Sequence, residues 1–222
     1  MIDIQEIKVD VAKRGHITNS YLVYDDESKE GVLIDPGFDA EKIIKEIVKN
    51  EINVRYVILT HAHGDHFGAL EEISNFAKCP ILVHKLDYDM LIGKVENYSK
   101  MQGIPIQDLS KCNILEIDNG YTFKVGTLNF EVIHTPGHTK GGICILEKTS
   151  NKLFTGDTIF YDCYGRCDLA TSSFEDMVNS IQNIFNRFDD IIIYPGHGKS
   201  VNIQFAKKYI KILLSMKDIR ID

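Results

Sequence analysis

No stretch of this 222-residue sequence approaches the roughly 20 consecutive apolar residues that a bilayer-spanning helix requires. The longest apolar runs, such as Ile191 to Tyr194, have the length of a strand. The start, MIDIQEIKVD, places Asp3 and Glu6 where the apolar core of a secretory leader would lie, so a cytoplasmic protein with no membrane partner is expected. An excess of base is also missing. Lys and Arg number 25 against 32 Asp and Glu, the net charge is -7, and the lysines are scattered among acids. A nucleic-acid surface needs clustered cations, so no nucleic-acid partner is expected. Cysteines are few and odd in number: Cys79, Cys112, Cys144, Cys163 and Cys167 fit no disulfide framework and read as free thiols in a reducing compartment. Cys163 and Cys167 lack two further ligands at a spacing that would make a separate zinc site. Linkers rich in Gly, Ser or Pro, low-complexity segments and short repeats are absent too, which predicts one domain over residues 1–222.

What is present is an ordinary globular composition, 44% hydrophobic and 26% charged, long enough to bury a core without covalent staples. Residues 19–24 and 31–35 read as strands joined by a charged turn. Residues 39–49 read as a helix with Ile43, Ile44, Ile47 and Val48 on one face. A buried strand at 54–60, a short helix at 69–77 and a strand at 81–83 follow. Segment 85–111 starts helically and turns irregular. Gly93, Gly103 and Pro105 make it either a lid facing the substrate or a plain connection. Strands resume at 122–125, 128–134, 142–147 and 152–155, the first two joined by a tight turn at Gly126-Thr127. Phe174, Met177, Val178, Ile181, Ile184, Phe185 and Phe188 recur at helical spacing over 173–188, with Ser172 and Glu175 placed as a capping box. A strand at 190–194 and a helix from 203 to about 216 complete the order. This predicts an α+β protein: two sheets face to face with helices outside.

Four short segments carry metal-binding side chains. They are Thr60-His61-Ala62-His63-Gly64-Asp65-His66, Ile133-His134-Thr135-Pro136-Gly137-His138, Thr155-Gly156-Asp157-Thr158 and Tyr194-Pro195-Gly196-His197-Gly198. Each follows or ends an apolar strand-like run, and strand ends are rigid mounts that loops can bring to one edge of a sheet. Three histidines and an aspartate within six residues are costly to bury without a metal; the alternative is a solvated His-rich loop. Taken singly, His134, Asp157 and His197 fit a hydrogen-bonded histidine or a turn aspartate equally well. The joint pattern is what carries weight.

The ordered set H-x-H-x-D-H, T-P-G-H-T, G-D-T and P-G-H-G resembles the metallo-β-lactamase superfamily over nearly the whole chain, its glyoxalase II (hydroxyacylglutathione hydrolase) branch and shorter relatives most of all. The resemblance implies a four-layer αβ/βα sandwich of two mixed β-sheets with helices on the outer faces. It implies two zinc ions, with iron or manganese able to take either place. His61, His63 and His134 would hold one, Asp65, His66 and His197 the other, and Asp157 both. It implies hydrolysis of an acyl thioester by a metal-bridging hydroxide that Asp65 and Asp157 orient. The two carboxylates and the hydroxide would leave the centre with net positive charge, ready to stabilise an oxyanion.

Asp35, in L-I-D-P-G, matches a position that hydrogen-bonds a histidine ligand; opening a Pro-Gly turn is the competing role. His138 reads as a supporting residue behind the ligands. His84 and His16 read as ordinary polar residues. Arg166 and Asp168 resemble a G-R-x-D loop bordering the substrate, against an internal ion pair as the alternative. A secreted β-lactamase is disfavoured, since those enzymes lack the bridging carboxylate. Larger glyoxalase II enzymes grip glutathione with an extra helical domain, whereas here the residues after His197 suffice for one helix, bearing Lys207, Lys208 and Tyr209. A mononuclear iron persulfide dioxygenase, a lactonase and a non-catalytic metal-binding module remain as alternatives.

Overall fold

The structure is a computed structural model and describes residues 2–11 and 15–215. The elements are β1 (Ile2–Val11), β2 (His16–Asp25), β3 (Glu30–Ile34), α1 (Ala40–Lys49), β4 (Asn53–Ile58), α2 (Gly64–Phe67), α3 (Leu70–Ala77), β5 (Ile81–His84), α4 (Tyr88–Leu91), α5 (Ser99–Gln102), β6 (Ile114–Ile117), β7 (Thr122–Val125), β8 (Leu128–His134), β9 (Ile143–Glu147), β10 (Lys152–Gly156), α6 (Phe174–Arg187), β11 (Ile192–Pro195), β12 (Val201–Asn202) and α7 (Ile203–Ser215). The expected end of the last helix at Met216 lies outside the described residues.

They form two six-stranded sheets, ordered β1-β2-β3-β4-β5-β6 and β12-β11-β10-β9-β8-β7. Both are mixed. The first is antiparallel through β1, β2 and β3 and parallel from β3 to β6. The second is antiparallel except for the parallel pair β10 and β11.

Period-two alternation on strands buried on both faces builds the four layers. In β2, Tyr21 and Val23 point between the sheets, while Leu22 and Tyr24 point to the outer helices. In β9, Ile143 and Ile145 face inward and Cys144 and Leu146 face outward. Ile43 and Ile47 of α1 with Leu70 and Ile73 of α3 cover the first sheet. Met177, Ile181, Ile184 and Phe185 of α6, with Ala206 and Ile210 of α7, cover the second. The four-layer αβ/βα architecture is therefore the one expected.

Local details differ. The capping residue of α6 is Ser173, whose Oγ accepts from Asp176 N at 3.2 Å, and Ser172 is engaged with Leu169 instead. Val48, assigned to the apolar face of α1, is 59% exposed, because Ala40, Ile43 and Ile47 centre the stripe one position away. β1 was not foreseen as a strand. Its ten residues pair with β2 from Ile2↔Asp25 to Val11↔His16, and charges such as Asp3 and Lys8 suit an edge. β6 was also missed, since four residues after an irregular segment give no period to read.

The C-terminal ends of β4, β10 and β11 and the start of β9 share one edge of the sandwich. There Ile143 N donates to Thr60 O at 2.9 Å and Asn19 N to Gly196 O at 2.7 Å, joining the two sheets.

Candidate metal centre

His61 and His63 leave β4 on a loop, and Asp65 and His66 sit on the one-turn helix α2. Asp157 follows β10 directly, and His197 lies two residues past β11. All these residues except His197 are more than nine-tenths buried. They converge: donor atoms of His61, His66 and Asp157 lie within 4.8 Å of one another, as do those of Asp65, His66 and His197.

The third donor beside His61 and His63 is His138, not His134. His138 Nε2 lies 2.9 Å from His63 Nδ1 and 3.3 Å from Asp157 Oδ2. His134 is turned away. Its ring stacks on His84, with centroids 4.1 Å apart and planes at 11°, and its Nε2 donates to Lys140 O at 2.8 Å. The reason is strand geometry. His134 is the last residue of β8, paired with Ile143, and pleating fixes its direction. The Thr-Pro-Gly turn then reverses the chain and delivers His138 to the edge. Gly137 makes that turn at φ 146, where any side chain would strike the Met177 backbone. The sequence contained the signal: in the other three segments the donors lie in the loop beyond the strand, never on its last residue.

Hydrogen bonds behind the cluster fix which ring nitrogen carries a lone pair. Thr60 Oγ1 donates to Asp35 Oδ2 at 2.6 Å, so the His61 Nδ1–H at 3.1 Å donates to Thr60 and Nε2 is left bare. His66 Nδ1 donates to Asp35 Oδ2 at 2.9 Å, His138 Nδ1 to Arg166 O at 2.8 Å and His197 Nδ1 to Ile17 O at 2.7 Å. Four Nε2 lone pairs are thereby aimed inward, the arrangement that metal-ligating histidines use. His61 Nε2 and Asp157 Oδ1 are buried with no hydrogen-bond partner, which costs free energy unless something else satisfies them. Donor separations support a cation. His197 Nε2 to Asp65 Oδ2 is 3.3 Å, His66 Nε2 to His197 Nε2 is 3.4 Å and His66 Nε2 to Asp157 Oδ1 is 3.4 Å. A tetrahedral ion with bonds of about 2.0–2.1 Å would space its ligands by about 3.3 Å. The donor set fits.

The electrostatics agree. Burial pushes His61 well below the ordinary imidazole range and His63 down to about 3, so both are neutral and able to ligate. Burial would also lower His66 and His197, but the carboxylates outweigh it: Asp157, Asp65 and Asp35 raise His66 to about 9, and Asp157 and Asp65 raise His197 to about 11. For Asp65 and Asp157 burial acts upward, yet the facing His66 and His197 hold both below the usual carboxylate range. A field that draws protons onto buried imidazoles draws divalent cations for the same reason.

Several supporting residues went unread in the sequence. Thr18 Oγ1 and Gln102 Nε2 donate to the two oxygens of Asp65, at 3.1 and 2.9 Å. Fully buried Asp87 accepts from Ala62 N, Thr139 Oγ1 and Gly141 N at 3.1, 2.8 and 2.7 Å and so ties the His63 loop to the His138 loop. Nothing in a linear pattern marks such long-range contacts. Gly196 packs so closely that a Cβ there would meet Asp157 Oδ1 and His66 Cε1. Segment 85–111 abuts the centre: Gly64 N donates to Asn97 O at 2.8 Å, and the Tyr98 ring lies 5.4 Å from that of His63. Arg166 and Asp168 pair with each other through two contacts of 2.9 Å on the surface, so what reaches the centre from Arg166 is its carbonyl, to His138.

Asp35 both accepts Thr60 N at 2.7 Å and orients His66. Asp35→Ala is expected to cost roughly 2–4 kcal/mol of stability through the stranded donors. Metal affinity should fall by about 10–100-fold. Urea unfolding and chelator competition check both, and an unchanged affinity would show that His66 needs no such partner.

The family model described as the Metallo-beta-lactamase superfamily matches residues 14–197. Among curated proteins, the chain is 32% identical over 191 residues to the hydroxyacylglutathione hydrolase GloC of Haemophilus influenzae, covering 86% of this chain and 90% of that one. It is 31% identical over 179 residues to a probable polyketide biosynthesis zinc-dependent hydrolase, BaeB, of Bacillus velezensis, covering 80% and 71%. Among solved structures, BLEG-1, a B3 metallo-beta-lactamase, superposes with TM-score 0.85 at 29% identity, covering 95% of this chain and 99% of that one. TTHA1623, solved in a di-iron-bound form, gives TM-score 0.81 at 25% identity over 94% and 99%.

Proposed function

The chain belongs to the metallo-β-lactamase superfamily, and from that premise we propose that it hydrolyses small acyl thioesters at a two-metal centre. His61, His63 and His138 would hold one ion, Asp65, His66 and His197 the other, with Asp157 shared between the two sets. The observation that carries this reading is the placement of Asp157 between two donor sets: Oδ2 faces His138 and His197 at 3.3 and 3.5 Å, and Oδ1 faces His66 at 3.4 Å. The similarity to a hydroxyacylglutathione hydrolase supports a thioester as substrate. Zinc is the first choice of metal given the imidazole and carboxylate donors. The di-iron neighbour keeps iron in the test.

Divalent ions held there would supply a water of near-neutral pKa and a Lewis acid for the acyl oxygen. The chain's own residues do the rest. Thr18 and Gln102 pin both oxygens of Asp65, and Asp35 pins His66, so the donors reach the substrate preorganised. A thiolate departs without protonation at neutral pH more readily than an alkoxide, because thiols ionise near pH 8.5. The site accordingly needs no protonated side chain beside the leaving group, and the depressed pKa values of Asp65 and Asp157 keep both as carboxylates.

The test is metal analysis of the purified protein joined to a panel of a small acyl thioester, a lactone, a β-lactam and a persulfide. The expected result is about two equivalents of metal and thioester turnover that a chelator removes and zinc restores. Oxygen uptake on the persulfide with a single iron would replace this reading by a dioxygenase. Full metal occupancy with no thioester turnover would end it.

A further inference from the structure

A cavity of about 1100 Å³ lies under segment 85–111, and none of the seven donors lines it. Its walls include Phe67, Tyr88, Leu91, Ile104, Leu109 and Ile114. Carboxylates are absent from the lining, and Lys100 is its one charged residue. That is notable in a chain of net charge -7. Among the described residues the Lys100 ammonium is exposed and has no ion pair or hydrogen bond. Ser99, also in the lining, has a buried hydroxyl with no hydrogen-bond partner. The space matches or exceeds that of drug-sized ligand pockets, which run to about 1,000 Å³. A chamber with apolar walls, polar side chains from Asn97, Ser99, Gln107 and Ser110, and one unpaired cation suits a ligand of matching make-up: apolar along most of its length, negative at one end.

We propose that this cavity binds an amphipathic anion, an unbranched aliphatic chain that ends in a carboxylate, with the chain among the apolar walls and the carboxylate at Lys100. The site is separate from the donor cluster and stands whatever reaction that cluster performs. The helix α5 lies between the two: Lys100 faces the cavity while Gln102 reaches Asp65.

Calorimetric titration of the metal-loaded full chain with dodecanoate, below its micellar range, tests this without any turnover. One equivalent is expected to bind. Removing two methylenes should weaken binding by roughly 15-fold, about fourfold for each. Lys100→Gln should weaken it about fivefold, the scale of one exposed ion pair. Leu109→Trp, which narrows the chamber at one wall, should weaken binding while metal content stays unchanged. Should that variant fail to fold, the chain-length series and the exposed Lys100→Gln still decide. No binding of dodecanoate overturns the proposal. So does equal binding of acetate, which would place the carboxylate on the metals, or equal binding of dodecyltrimethylammonium, which would deny the role of Lys100.

Discussion

His138→Ala is expected to lower metal affinity and hydrolysis by at least about 100-fold, beyond what replacing a supporting residue costs, whereas His134→Ala leaves both within about twofold. The contrast is sharp because the two histidines are four residues apart and flank the same turn. His138 aims Nε2 at Asp157 and His63, with its Nδ1 proton anchored on Arg166 O. Alanine there removes a donor that no neighbour can replace, since the rest of the loop is pinned by Asp87 through Thr139 and Gly141. His134 contributes only its stack on His84 and the bond to Lys140 O. Its loss should lower stability by about 1 kcal/mol and nothing more. Elemental analysis and initial rates on the two purified variants give the answer. Metal loss in His134→Ala with retention in His138→Ala would reverse the assignment.

Asp157→Ala should remove one or both metals and nearly all activity. Asp157 is the one carboxylate that faces donors of both sets. Its charge is the largest influence raising the affinity of His66 and His197 for a proton or a metal cation against burial. Without it, the second set keeps Asp65, with Asp35 behind His66, as charge partners, and its imidazoles lose the strongest part of their pull on cations. Metal content of at most one equivalent per chain and a rate loss of at least about 100-fold are expected. Two retained equivalents would defeat the bridging role outright, whatever the rate.

How much of this could be read in advance depends on the range of the interaction. The stripe Met177, Ile181, Ile184 and Phe185 repeats at 3.6 residues, and it lies in α6 as the pattern required. The alternation that packs β2 and β9 into two cores is likewise local. His61, His63, Asp65 and His66 are concentrated within six residues, and their convergence follows from one short helix after a strand. The choice between His134 and His138 depends instead on how a Thr-Pro-Gly turn lands in three dimensions. The direction of a chain after Gly137 at φ 146 is not written in any periodicity. The anchors are more distant still: Asp35 meets Thr60 and His66, Asp87 meets Thr139, and Gln102 meets Asp65. Such pairs reveal themselves only once segments far apart in the chain are folded together.

The seam where the sheets touch has a mechanical consequence. Asn19 of β2 donates its side-chain amide to Pro195 O and Gly198 O at 3.0 and 2.9 Å, and Tyr21 Oη donates to Pro195 O at 2.6 Å. His61, His63, Asp65 and His66 hang from one half of the sandwich; His138, Asp157 and His197 hang from the other. Ions shared between these groups would act as a clasp on that seam, closing a loop of more than a hundred residues at its rim. Whatever strips such a clasp away would therefore act as a denaturant as well as an inhibitor, and metal supply would set how long the folded chain survives.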